Sequence, residues 1–103
     1  MTTATAQLNN VNIAAIGILV EAIAAEPEHA ETTWHASVEW DGGFHTTTTI
    51  RDFEPFATDE PEVLGGTDKA PNPVEHLIAA LGSCLAIGYA ANATVAGIRL
   101  DTL

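Results

Sequence analysis

The sequence predicts an α+β fold, and three observations predict that class. Apolar residues recur at helical spacing in two separate segments, and an alternating segment that ends in Asp-Gly-Gly lies between them. A stretch rich in Gly and Pro separates this alternating segment from the second helix. We therefore expect a helix, an antiparallel hairpin, a long loop, a long central helix and the start of a further strand.

The first helix is predicted over residues 10–25. Its apolar side chains share one helix face: Ile13, Ile16, Leu19, Val20 and Ile23. Pro27 ends the helix, because proline lacks the amide hydrogen that the helical ladder needs. The Thr/Ala-rich residues 1–8 precede this helix and are expected to form a flexible N-terminus.

A β-hairpin is predicted after the first helix. In its first strand, residues 32–41, one set of alternating side chains is expected to be buried: Trp34, Ala36, Val38 and Trp40. Gly42 and Gly43 then supply the positive φ angles that a tight turn requires. The Thr-rich residues 44–51 return as the second strand, and residues 52–72 follow as a long loop without clear periodicity.

A long central helix is predicted over residues 73–96. Asn72 is its N-cap, Glu75 occupies the third position of a capping box, and Gly97 supplies the C-terminal stop. Between residues 77 and 91 the side chains are apolar or small nearly all round, which is typical of a buried helix. The small residues would let another helix approach closely, and we expect that neighbour to be the same helix of a partner subunit.

Length and charge restrict the classes of function. The chain has 103 residues, which allows one domain, and 47% of them are hydrophobic, more than a small monomer can bury. Three Lys and Arg stand against fourteen Asp and Glu, a formal charge of -11, so a nucleic-acid partner is not expected. The excess apolar content indicates association with another chain.

The sequence predicts a soluble, cytoplasmic protein that does not bind a membrane. No basic residue precedes Arg51, so the positively charged start of a secretory signal is lacking. The apolar residues 13–25 are too few to span a bilayer and include Glu21.

Cys84 is the single cysteine, so it cannot form a disulfide within one chain. Thiolate is the reactive form, and an ordinary cysteine is only slightly ionised at neutral pH. Cys84 is predicted several turns inside the central helix, beyond the reach of the helix dipole, with apolar neighbours that disfavour a charged thiolate. A catalytic Cys84 therefore needs a cation from elsewhere in the fold, with Arg51 as the first candidate and Lys69 as the second.

Residues 59–84 resemble the OsmC-like family. In that family a loop of the type D-E-P-x-x-L-G-G leads into P-x-E-x-L-x-x-A-L-G-x-C, and this chain reads DEPEVLGG and then PVEHLIAALGSC. The resemblance implies an intertwined homodimer built on the central helices, with Cys84 as the redox-active residue of a peroxidase. It also implies that an Arg, held by a Glu, contacts the thiolate, and Arg51 and Glu75 are the candidates for those roles.

Two departures place the chain closer to the general OsmC-like branch than to the well-defined hydroperoxide reductases. Val74 stands where those enzymes have the Glu, and the hairpin turn, residues 41–45, lacks their Arg. Family members also continue with more strands and a further helix, which carries a second, resolving cysteine in the peroxidases. Residues 98–103 alternate like the start of a strand, so residues 9–103 are expected to be the N-terminal half of one OsmC-like domain, whose other half is missing or comes from a complementary chain.

Two functions from different classes remain open. The leading hypothesis is a peroxidase of oxidative-stress defence that reduces organic hydroperoxides through Cys84 and is recycled by an external thiol. The alternative is a non-catalytic dimerisation or ligand-binding module, in which Cys84 packs in the core and Trp34 and Trp40 line a surface for a small apolar molecule. The four histidines lack metal-ligand spacing, and the acidic residues around Asp59 are typical of a solvated loop, so neither a metal nor a cofactor is expected.

Overall fold

The computed structural model describes residues 7–103 and confirms the α+β class. The chain divides into two compact units. One unit comprises the described residues up to Thr32 together with Gly82–Leu103, and the other is Thr33–Leu81. Residues 1–6 of the predicted flexible N-terminus lie outside the described residues.

The Thr33–Leu81 unit contains a three-stranded antiparallel sheet. Its strands, in spatial order, are β1 (Ser37–Trp40), β2 (Thr46–Thr49) and β3 (Phe56–Thr58). The hairpin predicted between β1 and β2 is confirmed, with shorter strands, and its turn has positive φ angles of 97° at Gly42 and 58° at Gly43.

The prediction of one irregular loop over residues 52–72 is wrong in part. β3 lies within that segment and pairs with residues 46–48 of β2. A 3-10 turn follows at Glu62–Leu64 and ends at Gly65, whose φ is 93°. Three residues are too few to show alternation in a sequence, so pairing with β2 defines β3 rather than a pattern of its own.

The other unit contains α1 (Ile13–Ala25) and a short 3-10 turn on either side of it, Leu8–Asn10 and Pro27–Ala30. The first helix is therefore confirmed, and it begins three residues later than predicted. Asn12 caps it, because the Oδ1 atom of Asn12 accepts a hydrogen bond from the N–H of Ala15 at 3.1 Å.

The long helix α2 (Pro73–Val95) is confirmed, and both of its ends have the predicted caps. At its start the N–H of Glu75 donates to Asn72 Oδ1 at 2.8 Å, and the N–H of Asn72 donates to Glu75 Oε1 at 3.0 Å. At its end Gly97 has a φ of 74°, and the N–H groups of Gly97 and the next residue bond back to carbonyl groups in the last turn of α2.

The segment after α2 forms no strand, so the predicted start of a further strand over residues 98–103 is wrong. Asn9 holds this segment instead: its Nδ2 donates to the Ile98 carbonyl at 2.9 Å and to Thr94 Oγ1 at 3.1 Å. The Oδ1 atom of Asn9 accepts the N–H of Leu100 at 2.8 Å. These bonds satisfy backbone groups that a partner strand would otherwise satisfy.

Two predictions of burial are wrong for the chain by itself. Among the described residues no hydrophobic side chain is buried; Trp34 and Trp40 are 77% and 72% exposed, and Thr94 is the one buried residue of α2. Alternation and helical spacing identify the apolar side chains that favour burial. They do not identify the molecule against which these side chains are buried.

The helix α2 is also long and apolar enough to cross a membrane, since it has 23 residues and contains an 18-residue stretch with a mean hydropathy of 1.5. The core helix of a soluble protein has the same length and composition. Length and composition therefore do not decide between these two environments.

Candidate functional site

Cys84 lies on an exposed face of α2. It opens onto a shallow groove of about 400 Å³, called the Cys84 groove here, that is lined by Cys84, Leu85, Gly88, Tyr89 and Asn92. Cys84, Gly88 and Asn92 follow one another at four-residue spacing and so share one helix face. Because Gly88 has no side chain, the groove stays open beside the thiol.

The Cys84 groove is more polar than the sequence predicts. The sequence predicted only apolar neighbours for Cys84 and so omitted Asn92, whose Nδ2 donates to the Gly88 carbonyl at 2.8 Å. Tyr89 is 65% exposed and adds a phenol to the wall. The four-residue spacing from Cys84 to Gly88, continued by one step, leads to Asn92 and predicts its amide on the same helix face. Within this chain Cys84 is an accessible thiol and not a packing residue of a hydrophobic core.

Arg51 lies at the edge of a cleft in the Thr33–Leu81 unit. The cleft, called the Trp34 cleft here, encloses about 630 Å³ and is lined by Thr33, Trp34, His35, Ala36, Ile50 and Arg51. The Cζ atom of Arg51 lies 4.8 Å from the centre of the Phe53 ring, a cation–π distance. Arg51 forms no ion pair in the described residues, not even with its neighbour Asp52.

The backbone of Arg51 adds a second feature. Its φ is 47°, which is uncommon for a residue with a side chain and costs conformational energy. This left-handed residue is the second residue of a turn that the N–H of Phe53 closes on the Ile50 carbonyl at 3.1 Å, and it lies at the edge of the Trp34 cleft.

Glu75 has the capping role that its position predicts. Its carboxylate accepts the N–H of Asn72, and it forms no ion pair with Arg51 in the described part of the chain. Arg51 and Glu75 belong to the Thr33–Leu81 unit, whereas Cys84 belongs to the other unit.

Asp59 was expected in a solvated loop, and that expectation is wrong. Its side chain is fully buried and accepts hydrogen bonds from the backbone N–H groups of Glu60, Thr67 and Lys69, at 2.7, 3.3 and 3.1 Å. The Thr67 hydroxyl donates a closer bond, at 2.6 Å. These donors, the hydroxyl foremost, hold the pKa of Asp59 well below its ordinary value of 3.8, although burial acts in the opposite direction.

These bonds close the segment that leads into α2, residues 59–71, which is called the Asp59 loop here. The N–H of Asp59 also donates to the carbonyl of Pro71, at 3.3 Å, where the loop ends. His45 joins the loop to the hairpin, since its Nδ1 lies 3.7 Å from Asp59 Oδ2 and its Nε2 lies 3.1 Å from Thr67 Oγ1. In the sequence, the available indication that Asp59 closes this loop was its position at the start of a segment rich in Gly.

His76 has surroundings that the sequence did not predict. Its Nε2 atom is buried without a hydrogen-bond partner, and its ring lies 5.0 Å from the ring of Phe56. In the described range, no group of three or more His, Cys, Asp or Glu side chains is arranged to hold a metal. A single imidazole supplies one ligand, which does not define a metal site.

Comparison with protein families gives a match. A family model described as OsmC-like protein matches residues 66–103. This stretch resembles the OsmC-like family. It contains the end of the Asp59 loop, the whole of α2 and the Cys84 groove, and it confirms the resemblance that the loop and helix motifs carry in that part of the chain. A comparison with curated proteins finds no match.

Proposed function

We propose that this chain is a thiol-dependent peroxidase of the OsmC-like kind, which reduces organic hydroperoxides through Cys84. One observation carries the proposal: the single cysteine lies exposed in a groove on α2, inside the stretch that matches the OsmC-like family. An accessible thiol is the first requirement of such a reaction. The apolar part of the groove suits an alkyl hydroperoxide better than hydrogen peroxide, and a role in stress defence follows from that substrate class.

The proposed reaction transfers one oxygen atom. The Cys84 thiolate attacks the terminal oxygen of the hydroperoxide, the O–O bond breaks, and the leaving alkoxide takes a proton to become an alcohol. Cys84 is then a sulfenic acid. A first external thiol condenses with it and releases water, and a second external thiol reduces the resulting mixed disulfide, which restores Cys84 and gives the oxidised reductant.

The proposal gives Arg51 the role of stabilising the thiolate, from the same chain or from a partner. Arg51 supports this role through an exposed guanidinium that forms no ion pair in the described residues. Glu75 would orient that Arg. Since the Glu75 carboxylate also caps α2, orientation of Arg51 requires the second carboxylate oxygen.

The proposed assembly is a homodimer that forms through α2. The alternative is a complementary chain, which supplies further strands and buries the exposed apolar side chains. Supporting it, large apolar side chains along α2 are exposed: Leu77, Leu81, Leu85 and Ile87 are each more than half exposed. We propose a cytoplasmic location, in which a partner subunit rather than a membrane covers this helix.

A single-turnover reaction tests the peroxidase proposal. Reduced protein receives one equivalent of cumene hydroperoxide with a sulfenic-acid trap present, and mass spectrometry reads the modification of Cys84. The controls are Cys84→Ser and a double variant, Cys84→Ser with Ser83→Cys, which moves the thiol one position along α2 and away from the groove. Rapid trapping that occurs in the natural protein and in neither variant supports the proposal. Equal trapping in the double variant, or none in either, contradicts it.

The Trp34 cleft favours a second candidate function, binding of a small apolar molecule. The cleft has a volume suited to such a ligand, with walls that include Trp34, Ala36 and Ile50. A titration with 1-anilinonaphthalene-8-sulfonate tests this function in a Cys84→Ser background, where peroxidase chemistry is absent. Binding that Ala36→Asp abolishes supports the cleft as a ligand site, and binding that persists unchanged in this variant contradicts it.

A further inference from the structure

Most carboxylates in the described residues have no cation beside them. Twelve of its fourteen Asp and Glu residues are exposed, and the chain contains three Lys and Arg in total. In the described residues three ion pairs occur, and two of them use a histidine, which is charged only when protonated. The pair between Arg99 and Asp101 is the one with a permanent cation. Most of the formal charge of -11 therefore lies on exposed carboxylates that form no ion pair in the described residues.

The same chain exposes the apolar side chains that association has to bury. Among the described residues no hydrophobic side chain is buried, and Leu77, Leu81 and Ile87 of α2 are each more than 60% exposed. Exposed apolar surface on this scale is typical of a chain that buries it against a partner. Two copies that meet through it bring together two chains of charge -11 each, and their repulsion opposes the apolar contact.

We propose that assembly of this chain requires molar concentrations of salt, whose cations screen its acidic surface. The inference rests on the proposed homodimer. At an ionic strength of 0.15 M charges interact over about 8 Å, and at 1 M over about 3 Å. Molar salt therefore removes most of the repulsion between the two copies, and the burial of their apolar surface then determines association.

The direction of the salt effect distinguishes this device from an ordinary interface. Where ion pairs between subunits hold a dimer, added salt weakens it. Here the carboxylates have almost no cations to pair with, so added salt strengthens association. Protonation of histidines affects association less than salt does, because the exposed carboxylates outnumber the four histidines, His29, His35, His45 and His76.

Sedimentation velocity and far-UV circular dichroism of the full chain, between 0.1 M and 3 M KCl, test the proposal. We expect a monomer of low helicity at 0.1 M and a helical dimer at 3 M. Four exposed carboxylates that form no ion pair are then replaced: Glu28→Gln, Glu31→Gln, Glu54→Gln and Glu62→Gln. We expect this variant to associate at a KCl concentration about twofold lower, because less repulsion has to be screened. Glu→Asp changes at the same four positions keep the charge and serve as the matched control.

The possible outcomes separate this inference from the proposed homodimer. A dimer of equal stability at 0.1 M and 3 M KCl overturns the salt requirement and leaves the homodimer standing. A monomer at every salt concentration overturns both. An equal shift of the KCl midpoint in the Gln and Asp variants also overturns the inference, since it assigns the shift to side-chain shape rather than to charge.

Discussion

The Oγ1 atom of Thr67 donates a hydrogen bond to the Oδ2 atom of Asp59 at 2.6 Å, across eight residues of the loop that leads into α2. Asp59 is fully buried, so its carboxylate has exchanged water for donors of the chain itself. The bond fixes the shape of the segment that precedes the cysteine helix.

Replacing Asp59 by Asn tests the role of its charge. The folded state lowers the pKa of Asp59, so the carboxylate stabilises the protein above its ordinary pKa of 3.8 and loses that contribution as the pH falls through the lower folded value. We expect Asp59→Asn to be less stable at neutral pH, because the amide faces N–H groups with donors of its own. We also expect a shallower loss of stability below pH 3.8, measured by denaturant unfolding from pH 2 to pH 7 at constant salt.

The matched control for Asp59 is Asp68→Asn in the same loop. Asp68 is exposed and its left-handed backbone, with a φ of 53°, is one that Asn also adopts. This change should leave both the stability at neutral pH and its acid dependence nearly unaltered. Equal pH profiles for the two variants would show that Asp59 has no special role.

Gly66 is expected to tolerate no side chain. A Cβ atom at this position would lie 1.9 Å from the carbonyl oxygen of Glu60 and 2.8 Å from Asp59 Oδ1, so the backbone of the loop has to move. We expect Gly66→Ala to lower the free energy of unfolding by about 1–3 kcal/mol or more. The control is Gly17→Ala within α1, where a Cβ meets nothing within 4 Å and a gain of about 0.5–1 kcal/mol is expected. Urea unfolding at one protein concentration measures both, and a neutral Gly66→Ala would contradict the loop geometry.

The sequence predicts elements whose information is local. Asn72, Glu75 and Gly97 define the ends of α2 because caps act within one turn, and Gly42 and Gly43 define the hairpin turn for the same reason. The short strand β3 was missed because three residues carry no period, and pairing across the sheet decides their conformation.

The candidate site was only partly predictable. Cys84 was identified as the single thiol, but its exposure depends on packing that helical spacing does not specify. Asp59 was missed because its donors lie up to ten residues away and are mostly backbone groups, which every residue except proline has. For Trp34 the prediction was wrong in the opposite direction. Alternation predicted a buried side chain, and in the structure this side chain is exposed.

Asn9 is expected to hold the segment after α2 in place. Its side chain bonds Thr94, Ile98 and Leu100, and its own backbone is left-handed, with a φ of 54°. We expect Asn9→Gly to cost about 1–3 kcal/mol through the lost hydrogen bonds. Asn9→Ala should cost about 1–2 kcal/mol more, because alanine disfavours the left-handed conformation. Thermal unfolding at fixed salt and protein concentration measures both, and equal stabilities of the two variants would show that the backbone conformation is not strained.

Arg51 is expected to control the reactivity of Cys84, a prediction that depends on the proposed peroxidase. If the guanidinium stabilises the thiolate, Arg51→Gln should slow alkylation of Cys84 by iodoacetamide at pH 7 about tenfold, equivalent to about 1.4 kcal/mol. Iodoacetamide is neutral, so the change does not reflect attraction of the reagent. Arg99→Gln removes the same charge from an exposed residue that already pairs with Asp101, and it should leave the rate unchanged. Arg51→Lys should retain most of the rate, because the charge remains. Equal rates for Arg51→Gln and the natural protein would remove Arg51 from the site while leaving Cys84 as the reacting residue.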